Sequence, residues 1–302
     1  MSGPPDKACL ILHKKTCMRP DVVQAIEALE QSDFDLMVRI PWSRSDMKMF
    51  MRQAIADGVT RIIAGGGDGT LNDIANFLMK KDRAQKTSLG VFPLGTANDF
   101  ARGAEIPAND LTAALHLAAT GTATPIDIGE VNGRCFINVA SGGFGAEITA
   151  TTPKDLKKAL GGAAYTLMGL AKVINLQPYI GRYTDPDGRT EEASVIVMAV
   201  GNNRFAGGGF EVAPKANMQD GLLDFSVLSS DGSPDPRVIA AELADPFNSE
   251  NRYLRYHQAS TFTFESDRPL HMNLDGEPML ESRFEFKTHP RALEVVLGDR
   301  AQ

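Results

Sequence analysis

The hydrophobic pattern of the chain changes character once. Up to residue 123, short apolar runs alternate with stretches of helical period, and from residue 124 a period of two takes over. Residues 8–12 predict a buried strand, and residues 21–31 a helix with Val22, Ile26 and Leu29 at core spacing. Residues 36–40 predict a second strand ended by Pro41, after which Ser45 predicts the cap of a helix over 46–57 with Gly58 just past its end. A third apolar run at 61–64 leads through glycines into a helix over 71–80. A fourth strand at 89–92 and a helix over 111–120, between Asp110 and Gly121, complete the region. This rhythm predicts an α/β domain on a parallel sheet.

In the second half, Ile126, Ile128 and Val131 alternate with other residues, Asn132-Gly133 is a two-residue turn, and residues 135–140 form the returning strand. Further strands are predicted at 193–200, 222–228, 260–264, 270–274, 283–287 and 292–297, short and evenly spaced as in a β-sandwich. One helix interrupts them at 154–175. It carries Leu156, Leu160, Leu167 and Leu170 on a broad apolar side and is flanked by Lys154, Lys157, Lys158 and Lys172. Core packing with solvated lysines is the plainer account of that helix, and membrane contact the rival. The predicted domains are 1–123, rejoined by the tail 290–302, and 124–289.

Composition narrows the function. A net charge of −7 argues against sequence-independent nucleic-acid binding, and no basic run with interleaved aromatics occurs. Cys9, Cys17 and Cys135 are odd in number and far apart, which suits a reducing cytosol and structural roles. The histidines show no zinc-ligand spacing. No apolar signal core opens the sequence, and the longest weakly polar segment, 160–171, is too short to span a bilayer. These features predict a cytoplasmic chain whose membrane contact is peripheral.

The candidate chemistry begins at residues 65–73, Gly-Gly-Gly-Asp-Gly-Thr-Leu-Asn-Asp, where a strand passes through bare glycine amides into a helix start. Such a turn can hold a phosphate. It is neither a Gly-x-Gly-x-x-Gly fingerprint nor a Walker A loop. The loop 93–102, Pro-Leu-Gly-Thr-Ala-Asn-Asp-Phe-Ala-Arg, follows the next strand and should open on the same crevice. The glycines of 141–145, 201–202 and 207–209 suit either turn chemistry or a ligand. Residues 217–222 contain a common Asp-Gly turn. Residues 273–278 place Asp275 and Glu277 around a glycine, either merely solvated or able to accept a proton from a hydroxyl. Phosphoryl transfer needs a phosphate cradle, a metal and an oriented base, and the sequence has candidates for all three.

Taken together, residues 65–73, 93–102, 142–145, 220–223 and 274–278 resemble the bacterial YegS-type lipid kinases of the diacylglycerol kinase catalytic superfamily, a likeness running from about residue 8 to 297. The resemblance implies a Rossmann-like N-terminal domain of the NAD kinase and diacylglycerol kinase type, a β-sandwich C-terminal domain, and an ATP site in the cleft between them. It implies that Gly66, Gly67, Asp68, Gly69, Thr70, Leu71, Asn72, Asp73 and Thr96 bind the nucleotide, with Asp68 near the catalytic Mg2+. Asn217, Asp220 and Leu222 resemble a structural metal site for Mg2+ or another divalent cation such as Ca2+, with Asp220 giving a carboxylate and the other two main-chain oxygens. Glu277 resembles the proton acceptor and Asp275 is its close rival. Where relatives often carry a hydroxyl residue after the second strand, this chain has Pro41, and Ser43 is the nearest substitute.

The implied activity is transfer of the γ-phosphate of ATP to a hydroxyl of a membrane lipid, of the phosphatidylglycerol or diacylglycerol class, during transient docking on the bilayer. A homodimer is compatible with this, and no nucleic-acid partner is expected. Two rivals are an NAD kinase, against which the Asn98-Asp99-Phe100 loop argues, and a non-catalytic nucleotide-binding module.

Overall fold

A computed structural model of the protein describes residues 7–32, 34–80, 87–143, 178–229, 238, 241–242 and 244–298. The predicted helix at 154–175 and its lysines lie outside these residues, as do Phe144 and Gly145. The chain divides into two compact units, Met1–Ile126 with Arg291–Gln302, and Asp127–Pro290.

In the first unit, β1 (Lys7–Leu12), β2 (Asp35–Arg39), β3 (Arg61–Gly66) and β4 (Ser88–Pro93) form a parallel sheet in the order β2-β1-β3-β4. Their apolar runs leave every residue of β3 and β4 buried, as strands covered on both faces require. The helices between them are α1 (Pro20–Glu30), α2 (Arg44–Ala56) and α3 (Asp68–Lys80), followed by α4 (Asp99–Gly103) and α5 (Leu111–Thr120). The cap of α2 is Ser43 rather than the expected Ser45. The Ser43 hydroxyl accepts from the Asp46 amide while the Asp46 carboxylate accepts from the Ser43 amide, the reciprocal box that Ser-x-x-Asp spacing permits. α3 begins at Asp68, three residues before the predicted start, because the Gly67 carbonyl already accepts from the Thr70 and Leu71 amides.

The second unit is antiparallel. β5 (Ala123–Val131) crosses the unit boundary and turns through Asn132 and Gly133, both at positive φ, into β6 (Arg134–Phe136). β7 (Val139–Gly143) and β8 (Tyr179–Thr184) lie in succession between the same two neighbours, β9 (Thr190–Gly201) and β14 (Thr261–Leu274). β10 (Phe205–Ala206) and β11 (Phe210–Glu211) form a small separate ribbon. β12 (Leu223–Ser229) and β13 (Leu254–Ala259) extend the sheet beyond β9, and β15 (Glu277–Val296) pairs with β14. The core of this unit is aromatic: Tyr183 stacks on Phe225 at 5.3 Å between ring centroids, Phe225 meets Phe262 at 5.2 Å, and Phe262 stacks on Phe286 at 4.7 Å.

Four predicted short strands are two long ones here. β14 absorbs the polar Ser266-Asp267-Arg268 segment through a register shift between Glu265 and Leu270, and β15 carries Pro290 within its length before returning to the first unit, where Val295 pairs with Leu89 beside β4. The strands β8 and β13 were not predicted. No helix among the described residues is long and apolar enough to cross a membrane.

Candidate active site

An open cavity of about 540 Å³ lies at the carboxyl ends of the parallel strands of the first unit. Each strand feeds it a loop. β1 delivers His13, Lys14, Lys15 and Thr16; β2 delivers Pro41, Trp42, Ser43 and Arg44; β3 delivers Gly66, Gly67, Gly69, Thr70 and Asp73; β4 delivers Leu94 and Gly95.

The β3 and β4 loops touch through two residues that lack side chains. A Cβ on Gly95 would stand 2.6 Å from the Gly67 Cα and 2.8 Å from the Asn98 Oδ1, so Gly95 admits none, and one on Gly67 would press on the Gly95 Cα at 3.1 Å. Nothing lies within 4 Å of where a Gly69 Cβ would be, which leaves its backbone open to a large ligand. The β4 loop is held by Asn98, in the left-handed conformation at φ 51°, whose Oδ1 accepts from the Gly95 amide at 2.9 Å and whose Nδ2 donates to the Gly95 carbonyl at 3.1 Å.

The charges of the cavity suit a polyanion. Lys14, Lys15 and Arg44 line it, and the imidazole of His13 is pushed below its ordinary range by burial and then by the two lysines. The Lys14 ammonium donates to the Trp42 carbonyl at 3.0 Å and sits 5.5 Å from the centre of the Trp42 ring, which is 75% exposed. Arg44 bonds Asp73 at 3.1 Å. Bare amides at a helix start among these cations form a cradle that fits nucleotide phosphates. The Ser43 hydroxyl stands at the wall next to Pro41, already serving as the α2 cap and bonded to the Ser45 hydroxyl at 2.8 Å.

Asp68 is half-buried at the start of α3, where it accepts from the Phe100 amide at 3.2 Å. Burial raises its carboxyl above the usual range; the Phe100 amide opposes this and the nearby charge of Asp99 adds to it. Two adjoining carboxylates, one of them the buried Asp99, make an environment that a divalent cation would relieve. Of the residues expected at the nucleotide, Gly66, Gly67, Gly69, Thr70 and Asp73 line the cavity. Leu71 packs in the core and Asn72 is buried, its Oδ1 accepting from Asn76 at 2.7 Å, while Thr96 is exposed on the β4 loop. The sequence reading overlooked His13, Lys14, Lys15, Trp42 and Arg44. Their signal was position: each directly follows a parallel strand, and the rule applied to β3 and β4 holds equally for β1 and β2.

The remaining expected site residues belong to the second unit. At the β14–β15 turn, Asp275 stands at φ 47° and its carboxylate accepts from the amides of Ile137 at 2.7 Å, Val139 at 2.9 Å and Asn138 at 3.2 Å. Glu277, two residues on, is half-buried at the start of β15. In the turn before β12, Asp220 accepts from the Leu222 amide at 2.9 Å and Asn217 from the Gln219 amide at 3.1 Å, so the side chains brace the turn itself. The buried Asp127 carboxylate accepts from the Gly221 amide at 2.6 Å, and the Asp127 amide donates to the Met218 carbonyl at 2.6 Å. Burial, the largest effect, and the charge of Asp127 raise the Asp220 carboxyl, whereas the Leu222 amide lowers it. Two carboxylates at a turn rich in carbonyl oxygens fit a hard cation.

Residues 7–131 match the family described as Diacylglycerol kinase catalytic domain, and residues 138–297 match the one described as YegS C-terminal NAD kinase beta sandwich-like domain. The chain is 42% identical over 297 residues to a Pseudomonas fluorescens protein named Probable lipid kinase YegS-like, covering 97% of this chain and 96% of that one. It is 40% identical over 289 residues to the protein of that name from Shewanella frigidimarina, covering 95% and 93% respectively. A solved structure described as a diacylglycerol kinase from Bacillus anthracis shares the fold, with a TM-score of 0.78 at 22% identity over 98% of this chain and 99% of that one. With a glycine cradle among cations in one unit, the amide-held Asp275 turn in the other, and relatives alike over nearly the whole length, the chain belongs to the family of YegS-like lipid kinases.

Proposed function

We propose that the protein is an ATP-dependent kinase that transfers the γ-phosphate to a hydroxyl of a membrane lipid of the phosphatidylglycerol or diacylglycerol class, meeting the bilayer peripherally and transiently. The observation that carries this reading is the cavity of the first unit, where the open backbone at Gly69 lies beside Lys14, Lys15 and Arg44. Phosphates seat on those amides and cations, with Thr70 in the first turn of α3 and Thr96 on the β4 loop as the accompanying hydroxyls. Asp68 would hold a divalent cation, which when bound would supply charge neutralisation for phosphoryl transfer. Glu277 accepts the proton of the attacking hydroxyl. Asp275 is the weaker candidate for that task because both of its oxygens already accept backbone amides; it shapes the turn that presents Glu277. The turn of Asn217, Asp220 and Leu222 would hold a second, structural cation, Mg2+ or Ca2+.

The test is incubation of the purified chain with γ-labelled ATP, Mg2+ and a mixed lipid extract. Labelled lipid is expected, its class read by mass spectrometry, with no label released into NADP when NAD is the acceptor. Absence of transfer to any lipid would sink the proposal.

A further inference from the structure

The β5–β6 hairpin and β15 bring together three side chains that the lipid kinase reading does not use. Glu130 and Cys135 are direct cross-strand partners in the hairpin, their register set by the Asn132-Gly133 turn. Asn132 pins the hairpin to β15: its amide donates to the Glu285 carbonyl at 3.2 Å, its Oδ1 accepts from the Glu285 amide at 2.8 Å, and its Nδ2 donates to the Arg283 carbonyl at 2.9 Å. Moving back two residues along β5 therefore brings Glu130 to Lys287 and His289, whose terminal nitrogens each lie 2.8 Å from one of its carboxylate oxygens.

One ligand atom from each of Glu130, Cys135 and His289 falls within 4.8 Å of the other two. Donors bound to a single zinc ion lie roughly 3–4 Å apart, so rotamer adjustments of well under a residue's length would close the set. Alternation along the strands turns Glu130 and Cys135 away from the faces that bury Val131 and Phe136. The carboxylate and imidazole keep 16% and 23% of their side-chain surface, so an ion can reach them from solvent.

We propose that Glu130, Cys135 and His289 form a binding site for a divalent transition-metal ion, zinc by its chemistry, with water in the fourth position. Thiolate and imidazole select zinc over magnesium and calcium, which sets this cluster apart from the all-oxygen turn at Asp220. Binding releases the thiol proton of Cys135 and breaks the hydrogen bond between Glu130 and His289. Lys287 occupies the ion's electrostatic place when no ion is bound: its ammonium lies 2.8 Å from the Glu130 carboxylate, and its side chain is 48% exposed, free to swing into solvent. The absence of zinc-ligand spacing in the sequence is no obstacle, since His289 reaches the hairpin only through the fold.

Cobalt(II) titration of the full-length protein tests the site. A thiolate-to-metal charge-transfer band saturating at about one equivalent is expected, bleached by added zinc, present in C17S and lost in C135S. H289A and E130Q should each weaken binding by more than about tenfold, as loss of even an outer-shell partner of a zinc site commonly does. K287M should tighten it. Zinc should also slow alkylation of Cys135 in the wild-type chain, a readout independent of whether any variant folds. No band with folded wild-type protein, a band that survives in C135S, or alkylation of Cys135 indifferent to zinc would each overturn the proposal.

Discussion

Of the two carboxylates in one turn, Asp275 is tied to the backbone of another segment, while Glu277 is the proposed proton acceptor. Asp275 accepts from the amides of Ile137, Asn138 and Val139, so D275N should lower stability by about 2 kcal/mol by turning an amide group towards donors it cannot satisfy. E277Q should lower kcat roughly 10²- to 10⁴-fold, which lipid phosphorylation would measure beside the chemical denaturation of both variants. The sequence showed both residues but not this distinction, because the three amides come from a segment more than a hundred positions away. A second prediction concerns His257, which stacks on Tyr183 at 4.5 Å and is held below its ordinary pKa by burial, against the pull of Glu191. The unfolded chain takes up that proton first, so stability present above about pH 6.5 should fall as the pH drops below it. The unfolding midpoint measured between pH 7.5 and 5.5 should decline less in H257Q than in the wild-type chain.

At the scale of elements, apolar runs revealed the parallel strands because both faces are covered, and the caps of α5 at Asp110 and Gly121 fall where the sequence places them. The antiparallel unit was harder. β8 and β13 place Tyr and Leu inward between Arg, His and Gln, a pattern whose polar members are long side chains lying over a pleated surface. Arg61 was also passed over, since a charge at the start of an apolar run looks like a solvated flank. It is fully buried on β3, and its guanidinium donates to the Ala119 and Gly121 carbonyls at 2.8 and 2.7 Å, closing the carboxyl end of α5, and to the Ser88 hydroxyl at 3.0 Å. Burial draws its pKa down to about 10. R61A should therefore cost about 3 kcal/mol or more, because it strands those carbonyls and opens a cavity between β3 and α5. Denaturant midpoints, with m-values as a check on two-state behaviour, would measure it.

For the whole molecule, the boundaries between units fall inside strands β5 and β15 rather than in loops. The first unit is thus built from both ends of the sequence, with Leu293, Val295, Val296 and Leu297 of the tail all buried. Deleting residues 291–302 should remove roughly 6–12 kcal/mol of apolar burial, comparable to the entire stability of a domain. Loss of the cooperative thermal transition and rapid proteolysis are the expected signs. The meeting of Gly67 and Gly95 bears on the same unit in another way. Because the two loops abut backbone to backbone at these glycines, that stretch of the cavity wall has no slack, and neither glycine gains a side chain without the opposite loop giving way. Any methyl at either position acts as a shim that shifts the opposite loop, so variation in specificity enters more readily where side chains already reach the cavity, at Thr70 and Asp73 near the start of α3 and at Lys14, Trp42 and Arg44 on the β1 and β2 side.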